Sequence, residues 1–305
     1  MKTLKRITKL LSYLRIFNHI FANRTRLTPT LLSYITRRQI ILENSTIDDQ
    51  ERARDFIYNW LGFLKSENVI ELKRIGSSND GGYFLCDLES SPIVLSGGVA
   101  NDVTFENEFA KRGSLVVAFD PTIKFLPTGA SVSIRHYRLG LENSPKIFKN
   151  SINLAKAIQL VEESERFNKE SCKYLKLDIE GSEWEFLGSD GTREDVLYFD
   201  QLIVEFHDFY QLVDPKFLIN AKKTFEFLQM EFRVIAVHSN NYGLISNFGE
   251  AFIPDFMEVT LLRKDHFEAK KNNAMINMPI ANMAANNIDK LDIPASPFLA
   301  KSQGC

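Results

Sequence analysis

Cysteine is scarce in this chain, with Cys86, Cys172 and Cys305 the three among 305 residues. Odd in number and scattered, they form neither a C-x-x-C pair for zinc nor a disulfide framework. That excludes a disulfide-stapled secreted scaffold and fits a reducing, cytoplasmic setting. Long apolar runs are also missing, so no spanning helix is expected. The sequence shows no internal repeat of solenoid length. The G-x-G-x-x-G fingerprint is absent, which argues against a nicotinamide-dinucleotide enzyme. Acidic residues are absent from one stretch: residues 1–42 hold nine basic residues and no Asp or Glu. Taking those nine from the 37 basic residues leaves 28 against 39 acidic ones, about −11 for everything that follows. So acidic a body gives no ground for expecting a nucleic-acid partner.

What is present is an ordinary globular composition, 44% hydrophobic and 25% charged, enough for one large domain with appendages. Residues 1–69 read as a basic, amphipathic helical region. Within it Leu4, Ile7, Leu11 and Leu14 recur at helical spacing, with Lys5, Lys9, Arg15 and His19 on the opposite side. Such a helix either packs on its own domain or makes peripheral contact with an anionic membrane through residues 4–21, apolar side chains entering the headgroup boundary. No small-residue cleavage site follows it, which argues against a removable secretory signal. A second helix is predicted over Asp48–Lys65.

Residues 70–267 read as one α/β domain. Glu71–Leu88 alternates around Asn79-Asp-Gly-Gly82, the chemistry of a β-hairpin turn, whose tip could also touch a ligand. Strands are then predicted at Ile93–Ser96, Leu115–Phe119, Val132–Tyr137, Tyr174–Leu177, Gln201–Phe206, Arg233–Val237 and Glu258–Leu262. Helical patterns lie between them near Val103–Lys111, Ile152–Glu163, Glu183–Leu187 and Pro215–Met230. Alternation of this kind implies a doubly wound, mostly parallel, seven-stranded Rossmann-like sheet, its last two strands pairing as an antiparallel edge. Residues 268–305, rich in Asn and carrying Pro279, Pro294 and Pro297, show no period and read as a flexible or loosely docked tail.

Ligands of open parallel sheets bind beyond the carboxyl ends of the strands. The apolar run Tyr174–Leu177 ends there in Asp178-Ile-Glu180-Gly, and Ser182 with Glu185 predicts a capping box opening a helix at Glu183. Earlier, Ile93-Val-Leu-Ser-Gly-Gly-Val-Ala-Asn-Asp102 is a strand entering a glycine turn, where Gly97 and Gly98 let backbone approach a ligand and Asp102 offers an N-cap. The next strand ends in Asp120-Pro121. A carboxylate in that position matches a ribose diol, and Pro121 a wall beside it, so an adenosine-containing ligand is expected.

These blocks resemble FkbM-type methyltransferases and related methyltransferase-like proteins. The resemblance is carried by Ser96–Glu106, Val117-Ala-Phe-Asp-Pro-Thr122, Leu139-Gly-Leu141, Leu175-Lys-Leu-Asp-Ile-Glu-Gly-Ser-Glu-Trp184 and Val204-Glu-Phe-His207. It covers roughly residues 70–265 and implies a class I methyltransferase fold using S-adenosylmethionine. It places Gly98 against the methionine moiety and Asp120 on the ribose. Gly140 and Leu141 would lie beside the adenine, and Asp178 would face the cofactor amino group or the reacting centre. Ala100 stands where such sequences often carry a second glycine.

Methylating a hydroxyl requires alignment and a proton acceptor. His207, Asp178 and Glu180 are the catalytic candidates, with Glu205 and His238 behind them, and a sugar, glycan or glycolipid hydroxyl is the acceptor that the resemblance implies. Asp178 with Glu180 also suits a hard divalent metal, though two carboxylates make only part of a shell. Two other functions stay open at this level: a metal-dependent glycosyltransferase using Asp178 and Glu180, and a non-catalytic protein recruited to a membrane or partner by its basic helix.

Overall fold

The computed structural model describes residues 29–64, 70–78, 80–143, 149–273 and 298–299. The basic segment 4–21, Asn79 at the hairpin tip and most of the tail lie outside the described residues. Helices α1 (Pro29–Asn44) and α2 (Ile47–Trp60) precede a hairpin of β1 (Lys73–Gly76) and β2 (Gly82–Leu85). Then come β3 (Ile93–Gly97), α3 (Thr104–Lys111), β4 (Val116–Phe119), β5 (Arg135–Tyr137), the short strands β6 (Gly140–Leu141) and β7 (Ser151–Ile152), and α4 (Leu154–Glu162). The second half contains β8 (Lys173–Leu177), α5 (Glu183–Gly188), α6 (Arg193–Val196), β9 (Gln201–Phe206), α7 (Pro215–Glu231), β10 (Phe232–Ser239), β11 (Ile245–Phe248), β12 (Ala251–Pro254), β13 (Met257–Arg263) and α8 (Lys264–Asn273), with β14 (Phe298–Leu299) beyond.

Seven strands form the central sheet in the order β10-β13-β9-β8-β3-β4-β5. All neighbours run parallel except the two pairs that β13 makes. Strands β3, β4 and β9 are buried along their whole length, as expected of parallel strands covered on both faces. Side chains alternate between the faces. Leu95, Val117, Leu175, Leu177, Leu202 and Val204 enter one cluster with α2, α4 and α7. Val94, Val116, Ala118, Tyr174 and Ile203 enter another with Phe105 and Phe109 of α3 and with the hairpin. Chain progression reverses between β3 and β8: from β3 it moves outward to β4 and β5, from β8 the other way to β9. That switch point opens a crevice beyond Gly97 and Leu177.

The mostly parallel seven-stranded α/β sheet expected from the sequence is present. The antiparallel pairing of the last two strands is also present, but β13 is inserted between β10 and β9, so β10 alone forms the edge. The third strand is shorter than expected, because the chain turns from Ser131 to Ile134 before Arg135 joins β4. Ile152 belongs to β7 rather than to the helix, which Asn153 caps by accepting from Lys156 N–H. The capping box expected at Ser182 does not form: its side chain makes no cap bond, and Glu183 instead reaches back to accept from Ile179 N–H at 2.9 Å. A capping box does open α2, between Thr46 and Asp49. In the region read as tail, α8 continues to Asn273, and Phe298–Leu299 pair with Ala251–Phe252 of β12.

The N-terminal helices share the domain's core. Phe56, Trp60 and Phe63 surround Phe225 of α7, ring centroids 5.5–5.6 Å apart. Tyr34 and Arg38 of α1 both donate to the buried Asp255, at 2.5 and 2.6 Å.

Candidate functional site

Two cavities open side by side at the carboxyl ends of the strands, and Asp178 and Glu180 line both. The smaller, of about 580 Å³ including its mouth, is walled by residues 98–100, 119–122, 140–142, Asp178, Ile179, Glu180 and Ser182. Gly98, Asp120, Pro121, Gly140, Leu141, Asp178 and Glu180 all come together here from four separate stretches of sequence. Gly97 sits behind the wall, where an added Cβ would lie 2.7 Å from Leu141 and 3.3 Å from Ile179.

Gly98 has φ +80°, and a Cβ there would fall 1.8 Å from the Asp178 carbonyl oxygen. Only glycine lets β3 and β8 close at this point. Ala100 takes up the next left-handed position with φ +47°. Its backbone is held from below: Asp120 Oδ2 accepts from Val99 N–H (2.9 Å) and Ala100 N–H (2.8 Å), while Oδ1 accepts from the N–H (2.7 Å) and hydroxyl (2.6 Å) of Thr122. Burial works to raise the pKa of Asp120, but the hydrogen bonds from Thr122, Ala100 and Val99 outweigh it and hold the carboxyl below its ordinary value. Those four bonds use the accepting positions that the sequence reading assigned to a ribose.

Lys176 was missed in the sequence, although a lysine inside an apolar run of strand length is itself a signal. Its ammonium donates to the Gly98 carbonyl at 2.5 Å and lies 3.9 Å from Glu106 Oε1 and from Asp178 Oδ2. Burial disfavours its charge, but Glu106, Asp178 and Glu205 outweigh that and raise its pKa. The lysine thus ties the glycine turn to the end of β8. Glu106 Oε1 accepts from the Ser96 hydroxyl at 2.5 Å, which fixes the partner beneath.

The larger cavity, about 1,470 Å³ with its open mouth, is lined by Asp80, Asp178, Glu180, Glu205, His207, Asp208, Asn240, Tyr242 and Phe256, and roofed by Leu31, Ser33, Tyr34 and Arg37 of α1. His207 closes β9, its carbonyl gripped by Trp184 Nε1–H at 2.7 Å. Its Nδ1–H donates to Glu183 Oε1 at 3.1 Å, with the Glu205 carbonyl equally near. Its Nε2 points to Asp178 Oδ1 (3.8 Å), Glu205 Oε1 (3.8 Å) and Glu180 Oε2 (3.9 Å). Burial opposes the imidazolium, yet Glu183, Glu205 and Asp178 overcome it and raise its pKa well above the usual value. The carboxylates around the ring thus favour its protonated form. Burial and Asp178 push the pKa of the Glu205 carboxyl well above its ordinary value. Asn240 donates to Glu205 Oε1 at 2.7 Å. His238 is bonded to Glu258 at 3.1 Å and lines neither cavity.

Three described non-glycine residues have positive φ: Ala100, Glu180 and Asp208. All three line these cavities, and strained backbone of this sort concentrates at functional sites. Arg37 stabilises the third, donating to Asp208 (2.6 Å) and to the Tyr210 hydroxyl (2.7 Å).

No protein-family model matches the chain, and a search of curated proteins finds no match. The methyltransferase resemblance therefore rests on the residues quoted for it. Among the described residues no helix is long and apolar enough to cross a membrane.

Proposed function

We propose that the chain is an S-adenosylmethionine-dependent O-methyltransferase of the FkbM-like, class I kind, acting on a hydroxyl of a polar acceptor such as a sugar, glycan or glycolipid. The observation that carries this reading is the pair of cavities sharing Asp178 and Glu180. One is narrow, with a glycine turn and apolar walls at the switch point of the sheet, as a nucleoside-bearing donor requires. The other is wide and polar, as a hydroxylated acceptor requires. Val99, Phe119, Pro121, Leu141 and Ile179 offer apolar surface to an adenosine, and Gly98 allows close backbone approach to the methionine part. Asp178 would meet the amino group.

The cofactor would supply an electrophilic methyl on a positively charged sulfur, whose C–S bond breaks as the new O–C bond forms with the electron pair left on sulfur. The chain's own task is to align the acceptor oxygen and take its proton. Glu205, whose pKa burial and Asp178 raise and which lines the larger cavity, is the proton acceptor in this reading, since a stronger base takes a hydroxyl proton more readily. His207 balances the charge of Asp178, Glu180 and Glu205. Asp120 acts by fixing the glycine turn, because a ribose diol reaching it would have to displace Thr122.

Ser182 lines the small cavity and makes no side-chain cap bond, so Ser182→Trp fills the space without removing a support of the fold. Calorimetry with S-adenosylmethionine should show one site in the natural chain and none in Ser182→Trp at unchanged Tm. Equal binding by both, or none by either, overturns the reading.

A further inference from the structure

We propose that Asp178, Glu180 and His207 form a binding site for a divalent cation of the manganese or magnesium kind, which holds the acceptor by two neighbouring oxygens such as a sugar diol. The ion site stands on geometry alone; its use on an acceptor rests on the methyltransferase reading.

One ligand atom from each of the three residues lies within 4.8 Å of the other two. Ligands of one ion, each roughly 2.0–2.3 Å from it, stand about 3–4.5 Å apart. The 3.8 Å from Nε2 to Asp178 and the 3.9 Å to Glu180 fall in that range and are too long for hydrogen bonds. His207 gives an independent sign. It is 6% exposed, yet its Nε2 has no hydrogen-bond partner among the described residues and is aimed into the larger cavity.

The other atoms of these side chains are already committed in ways that orient them. Nδ1 is held by Glu183, which leaves Nε2 to face the carboxylates. Asp178 Oδ2 accepts from the Tyr83 hydroxyl at 3.2 Å and faces Lys176, which turns Oδ1 toward His207. Supports of this sort are what hold metal ligands in place. Two carboxylates and one imidazole suit manganese or magnesium, and three protein ligands leave positions for two acceptor oxygens. An ion held there would make a coordinated hydroxyl more acidic, and Glu205, whose Oε1 is 3.8 Å from Nε2, would be the neighbouring carboxylate to take its proton.

Manganese(II) titrated into the full chain without cofactor, followed by electron paramagnetic resonance, tests the site. One saturable site is expected, with spin-echo modulation from a histidine nitrogen. Glu180→Gln, whose side chain is 85% exposed, should keep the natural Tm and weaken the ion roughly tenfold or more. His207→Gln should abolish the nitrogen modulation. Absence of a saturable site, or a site with neither the modulation nor sensitivity to Glu180→Gln, overturns the proposal. S-adenosylmethionine binding measured with chelator present separates this outcome from failure of the methyltransferase reading.

Discussion

The carboxylate of Asp120 accepts four hydrogen bonds from two loops, and so governs the glycine turn without facing the cavity freely. Asparagine keeps the shape but has one accepting oxygen, and its NH₂ would oppose two donors. Asp120→Asn should lose about 2–3 kcal/mol in urea unfolding at pH 7, the range for hydrogen bonds to a buried charge. The folded pKa of this carboxyl is depressed, so its contribution is fully present above the unfolded value of about 3.9 and is lost as pH falls through the lower, folded value. The gap between natural chain and variant should therefore close as pH is lowered from about 4, and a gap constant down to pH 2 would refute the assignment. The residue types at 98, 120 and 178 were legible as a site because each follows an apolar run of strand length. Asp120's partners were not legible, because strand ends show which groups converge but not which backbone donors arrive first.

At the scale of elements, α1 shows how composition misleads. Arg37 and Arg38 counted as part of a basic arm, yet Arg37 pairs with Asp208 and Arg38 with Asp255, 208 and 255 lying far away in sequence. Charge counting cannot see a partner across the fold. Periodicity fared better for the sheet, since strands buried on both faces read as unbroken apolar runs, but it could not place β13 between β10 and β9. Pairing order depends on tertiary packing rather than on any local pattern. Arg38 docks the roof of the larger cavity onto the domain, and the side chain of Asp255 is fully buried. Arg38→Met should cost about 3 kcal/mol, because it leaves an uncompensated buried carboxylate. Adding Asp255→Leu should recover part of that loss, and a double variant weaker than the single one would count against the charge argument. Urea unfolding of the three proteins decides it.

For the whole molecule, the fold accounts for part of the charge asymmetry and leaves the rest. With Arg37 and Arg38 engaged at the site, seven basic residues remain in residues 1–28, with no acidic residue among them, ahead of a body near −11. Their apolar partners Leu4, Ile7, Leu11 and Leu14 share one helical face in the sequence pattern. Both features together are those of an interfacial membrane helix, in which each basic side chain near an anionic surface contributes about 1 kcal/mol. A chain starting at Pro29 retains α1 with Tyr34, Arg37 and Arg38 and the contacts they make with the described residues. It should therefore keep its Tm, and with it the S-adenosylmethionine binding that the proposed function requires. Full-length protein should float with phosphatidylserine vesicles at 0.05 M salt and release at 0.5 M, where surface charges are screened beyond about 4 Å, whereas the truncated chain should stay behind at both. Equal flotation of the two forms would remove the lipid role from residues 1–28, and with it any help that a surface would give the larger cavity in meeting a ligand.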